Sequence, residues 1–123
     1  MKKFSILIVM VVLILVMATG CTKQVFNGNR TGNDEQFIMD YSVLNKTDSQ
    51  EMELEEGTII DVVIEDESGR VDILVAEVDG EEIYRGDDAS SGSFSLEIPK
   101  TGTYKFSVTG TNAKGSVSFK IAK

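Results

Sequence analysis

Few of these 123 residues are of a type that performs chemistry, and the missing types narrow the options before any element is assigned. There is no histidine, which removes Ser-His-Asp and Cys-His catalysis and the commonest zinc ligand. Cys21 is the only cysteine, so neither a disulfide nor a thiolate metal site can be built within the chain. A thiolate is, however, the natural nucleophile for attaching a lipid. The pattern G-x-x-x-x-G-K-[ST], which cradles nucleotide phosphates, does not occur. Carboxylates are the other resource, with 20 Asp and Glu against 12 Lys and Arg.

What precedes Cys21 decides how its sulfur is read. Lys2 and Lys3 form a short basic segment, followed by an apolar run from Phe4 to Ala18 broken only by Ser5. That run is 15 residues long, short of the roughly 20 that cross a hydrocarbon core and well sized for the apolar part of an export signal. It ends in small residues, Ala18-Thr19-Gly20, which suit the narrow cleft of a signal peptidase. The string Met17-Ala18-Thr19-Gly20-Cys21 resembles the lipobox of bacterial lipoproteins, with Ala18 where that family usually has Leu. The resemblance implies cleavage after Gly20, a diacylglyceryl group on the sulfur of Cys21, further acylation by a palmitate-type chain, and anchoring on the extracytoplasmic face of the cell membrane. An uncleaved anchor helix and an ordinary secretory signal are the competing readings. Two acyl chains, at about 0.8 kcal/mol per buried methylene, hold a protein far better than one.

Once the signal leaves with Lys2 and Lys3, ten basic residues face twenty acidic ones. That balance argues against nucleic acid as a partner. The charge is segregated: Asp40 to Asp88 holds 17 acidic residues against Lys46, Arg70 and Arg85, whereas Lys100 to Lys123 holds five lysines and no acid. The bland account is solvated strand faces of one domain; the alternative is an acidic surface for Ca²⁺ or a basic partner. Calcium takes 6 to 8 oxygen ligands, mostly from loops. The candidates are Glu65, Asp66 and Glu67 in one turn and Asp87 and Asp88 in another, with Ser90 and Ser91 nearby. Neither turn has EF-hand spacing. Otherwise no cofactor is expected. Paired acids about 5 to 9 Å apart could hydrolyse glycosides, but a domain this small has little room for a cleft. No catalytic residue is assigned and an enzyme is not expected.

The elements that must position these residues read as strands. Residues 21–35, with Asn, Gly and Thr in abundance and no hydrophobic periodicity, read as a lipidated cysteine and flexible tether behind the signal helix of residues 1–20. From residue 36 to 123 the period is two. Phe37, Met39, Tyr41 and Val43 form one set; Met52 and Leu54, then Ile60, Val62 and Ile64, then Val71, Ile73 and Val75 follow. Glu67-Ser68-Gly69 and Asp79-Gly80 both look like hairpin turns. Ile83 to Arg85, Phe94-Leu96-Ile98, Tyr104-Phe106-Val108 and Val117-Phe119-Ile121 complete about eight strands. Tyr104 lies in register with Phe106 and Val108, which makes it a core residue. Strands of this length, one-sided and separated by turns, indicate an all-β fold: an antiparallel, jelly-roll-like β-sandwich.

Phe94-Ser-Leu-Glu-Ile-Pro99 followed by Gly102-Thr-Tyr-Lys-Phe-Ser-Val108 resembles the strand, Gly-x-Tyr, strand wording of bacterial prepeptidase C-terminal domains and GOLD-type sandwiches. The likeness covers about residues 50 to 122, and such domains are usually non-catalytic accessory modules. The expectation is therefore a membrane-tethered, extracytoplasmic binding or accessory domain whose partner is a protein or a wall polymer. A calcium- or carbohydrate-binding module is the alternative, and a small carboxylate-dependent hydrolase comes third.

Overall fold

The computed structural model describes residues 24–122, all of it strand and turn. Seven antiparallel strands form in chain order: β1 Val25–Gly32, β2 Gln36–Asn45, β3 Thr47–Leu54, β4 Ile59–Glu77, β5 Glu82–Gly86, β6 Gly92–Glu97 and β7 Gly102–Ile121. Two of them are far longer than a strand of ordinary length, at 19 residues for β4 and 20 for β7. Each is bent in the middle and serves two sheets. Sheet one runs β1, β2, the second half of β7, the first half of β4, then β6. Sheet two runs β3, the first half of β7, the second half of β4, then β5. The result is an antiparallel β-sandwich.

The inward alternation predicted from the sequence fills its core, except at the end of β2, where the register against β7 shifts between Tyr41 and Leu44, so that Leu44 is buried and Val43 is exposed. Phe37, Met39, Ile60, Val62, Val117 and Phe119 line sheet one, and Met52, Val71, Ile73, Val75, Tyr104, Phe106 and Val108 line sheet two, all buried. Because β7 crosses between sheets, two residues of one strand meet face to face. The rings of Phe106 and Phe119 lie 5.1 Å apart and tilted by 59°, the edge-inclined arrangement aromatic pairs prefer. Apart from the hydroxyls of Tyr41 and Tyr104, no polar or charged residue is wholly buried among the described residues. Tyr104 is the largest fully buried side chain, and its hydroxyl donates to the Lys100 carbonyl at 2.6 Å. That bond fixes the crossover in which the chain leaves sheet one at Glu97 and enters sheet two at Gly102. The missing N–H of Pro99 ends the outgoing strand.

Three sequence expectations change. Glu67-Ser68-Gly69 is a bend within β4 instead of a hairpin: the register against β7 slips at Asp66/Ser68 and Ser68/Arg70, and the strand continues. Gly69 has φ +76, and a Cβ there would stand 2.2 Å from the Asn112 carbonyl oxygen, so the two bends are packed backbone to backbone. A bulge with a positive-φ glycine uses the same residues as a tight turn, which is why the sequence suggested one. Correspondingly, Tyr104–Val108 and Val117–Ile121 are two halves of one strand. Third, the expected tether of residues 21–35 contains strand β1, paired to β2 from Val25↔Asn45 to Gly32↔Phe37. Its strand character comes from ladder hydrogen bonds along an edge, with only Phe26 packed on the core. Backbone pairing leaves no hydrophobic period to read.

Candidate functional site

Both outer faces of the sandwich carry small hydroxyl residues flanked by charge, and sheet two gathers them into a groove. Register places Thr47, Thr109 and Asp72 side by side on one rung, and Ser49, Ser107, Leu74 and Arg85 on the next. A third rung holds Glu51, Lys105, Ala76 and Glu82. Those on β4 and β7 alternate with buried core residues, so the same periodicity that builds the core turns them outward. Thr47, Thr109 and Asp72 of the first rung, Ser107, Leu74 and Arg85 of the second, and Asp87 line a groove of about 300 Å³. Leu74 is its apolar floor.

Its polar groups are held in place. Asp72 Oδ1 accepts from Arg70 Nε at 3.0 Å and from the Asp88 backbone N–H at 2.7 Å. Arg85 Nε donates to Glu82 at 2.9 Å, and its Nη1 stands 3.8 Å from Asp87. The hydroxyls of Thr47 and Thr109 lie 2.7 Å apart, sharing one hydrogen. Such a surface offers acceptors at Asp72 and Asp87, a planar donor at Arg85 and hydroxyls that do either. It suits ligands recognised by several directional hydrogen bonds around a small apolar contact.

The five predicted metal residues are distributed as follows. The bend of β4 and the loop between β5 and β6 are neighbours, as the sequence could not say. The Asp66 amide donates to Ser91 Oγ at 2.9 Å, and the Ala89 amide to the Val71 carbonyl at 2.8 Å. Their carboxylates nevertheless diverge. Glu65 points outward beside Ser116, Glu67 is exposed, Asp87 faces Arg85, and Asp88 occupies a positive-φ position, 51°, with its amide on Asp72. Asp66 shares the inward parity of Ile60, Val62 and Ile64, and its Oδ1 is buried. Among the described residues no three Asp, Glu, Cys or His side chains come together as a metal-holding group. Gly20 and Cys21, the predicted cleavage and lipidation residues, lie outside the described residues.

Asp72, Arg85, Thr47, Ser107 and Thr109 went unread as site residues. Their signal was only that they are polar positions opposite core positions, which holds for every half-exposed strand. What singles them out is which strands become neighbours.

No protein-family model matches the sequence, and no curated protein matches it. Solved structures do. The pre-peptidase C-terminal domain of collagenase from Bacillus anthracis is similar at 14% identity and a TM-score of 0.50, over 82% of this chain and 100% of that one. PliG of Aeromonas hydrophila, a periplasmic inhibitor of g-type lysozyme, is similar at 16% identity and a TM-score of 0.49, over 83% and 92%. The first of these agrees in fold with the resemblance read from Phe94 to Val108.

Proposed function

We propose that this chain is a lipoprotein held on the extracytoplasmic face of the membrane by lipid on Cys21, and that its β-sandwich is a non-catalytic binding module. The observation that carries the binding half is the sheet-two groove, where Asp72, Arg85, Asp87 and a row of hydroxyls surround Leu74. These groups are pinned by their neighbours before any ligand arrives, which lowers the ordering cost of binding. Anchoring is supported by the apolar signal run and Ala18-Thr19-Gly20-Cys21. The partner is an extracytoplasmic protein or wall polymer.

One experiment addresses both halves. The tagged full chain, a Cys21→Ser variant and an Asp72→Ala/Arg85→Ala variant are compared by detergent phase partitioning and by recovery of partners from solubilised envelopes. Cys21→Ser moves to the aqueous phase; a variant still in the detergent phase after processing would exclude lipid on Cys21 as the anchor. The groove variant stays in the detergent phase but recovers about tenfold less partner, equivalent to about 1.4 kcal/mol. Undiminished recovery would place binding elsewhere on the surface.

The hydroxyl-rich lining favours a second reading, in which the ligand is a glycan. A glycan array with wild type and the groove variant separates the two: glycan signals lost in the variant favour this reading, and a blank array favours protein.

A further inference from the structure

Across sheet one, Tyr41 on β2 and Asp66 on β4 are both paired with the same residue, Gly115 on β7. Two strand spacings separate them, about 9 to 10 Å between Cα atoms. Gly115 puts no side chain on the rung between them. Its backbone could not accept one, since φ is +148 and a Cβ would stand 1.9 Å from the Glu65 carbonyl oxygen. Tyr41 is 2% exposed and shares the inward parity of Phe37 and Met39. Two polar atoms are thus buried on one rung of an otherwise apolar core, Tyr41 Oη and Asp66 Oδ1, and neither has a hydrogen-bond partner in the protein.

Leaving a buried hydroxyl or carboxylate oxygen unmade costs a folded chain on the order of 1–3 kcal/mol for each group. A native structure meets such pairs with ordered water or an ion. We propose that Tyr41 and Asp66 bracket a bound internal water, which accepts the phenol O–H and donates to Asp66 Oδ1. A cation fits less well, for a reason of hydrogen bookkeeping. The phenol remains protonated, its titration pushed up to about 12 chiefly by burial and then by the Asp66 charge. A cation would take a lone pair from Oη and leave that hydrogen unmatched in the core. Water takes the hydrogen and returns one of its own to the carboxylate.

The bridge reaches further than its two partners. Asp66 is tied through its backbone to Ser91, which donates back to the Asp66 carbonyl at 3.4 Å. The water therefore links the core to the loop between β5 and β6.

A crystal structure of the full chain in detergent, at a resolution that shows waters, tests this. The expected result is one solvent peak within about 2.6–3.2 Å of both Oη and Oδ1. A direct Oη to Oδ1 bond, an unoccupied gap, or a peak coordinated as a metal by shorter contacts would each overturn it. Tyr41→Phe, which keeps the ring and the packing, supplies an independent reading. The peak is lost in the variant crystal, and amide exchange at Asp66 accelerates by hydrogen-exchange NMR while that at core Val62 does not. Unchanged exchange at Asp66 would overturn the link to the loop.

Discussion

At the scale of single residues, the two buried tyrosines solve the same problem differently. Tyr104 hands its hydrogen to a carbonyl four residues upstream; Tyr41 has no such neighbour, and its environment resists ionisation. That resistance is a statement about stability. Below pH 10 the phenol is protonated whether the chain is folded or not. Between pH 10 and about 12 the unfolded chain gives up this proton and the native one keeps it, so stability falls as pH rises through that window. The loss amounts to roughly 2–3 kcal/mol for a shift of this size. Thermal melts should therefore show wild type losing stability relative to Tyr41→Phe as pH rises from 10 to about 12. A constant difference between them would show that Tyr41 is not the group responsible.

Among elements, the edge strand β1 does more than extend a sheet. Arg30, near its end, reaches across the open side of the sandwich to β3 of the other sheet. There it meets Asp48 at 2.7 Å, the Ser49 carbonyl at 2.7 Å and Gln50 Oε1 at 3.1 Å. Its guanidinium also lies over the Phe37 ring, 4.9 Å from the centroid. Partly exposed pairs contribute little singly, about 0.2–1 kcal/mol, and a cation–π contact at such a site adds about as much. Arg30→Gln should thus lower stability by about 1 kcal/mol in urea titration without changing the slope. A fall beyond about 3 kcal/mol would mean that β1 detaches. None of this was legible from residues 22–35, because an edge strand held by backbone bonds and one arginine leaves no periodic trace. By contrast, the faces of β2, β4, β6 and β7 were legible, since burial on one side alone imposes period two. Alternation reports which side of a sheet a residue takes, never which strand lies beside it. The bend at Gly69 escaped for the same reason, its partner being Asn112, 43 positions away.

For the molecule as a whole, the segregated charge of the sequence is interleaved in space. Lys105 of β7 pairs in register with Glu51 of β3, Lys120 with Asp61 of β4, and Lys100 Nζ stands 3.2 Å from Glu77. The lysine-rich end is the central strand of both sheets, flanked by the acidic ones, so it forms no separate basic surface. The groove is equally a product of assembly: Thr47, Asp72, Arg85 and Thr109 come from four strands and share nothing in the sequence. All of this hangs on β7. Among the described residues strand β3 pairs with no other strand, and only β7 joins β1 and β2 to β4. Deleting residues 102–121 should leave disconnected hairpins, visible as loss of the cooperative melt and of the far-ultraviolet strand signal; a retained transition would contradict this reading. There is a consequence in time as well as space. A chain synthesised or threaded through a membrane from its N-terminus delivers six strands before the one that unites them. Until β7 emerges only local pairings such as β1 with β2 and β4 with β5 can form, and neither sheet can close. Sheet closure then proceeds through contacts remote in sequence, which makes it slow.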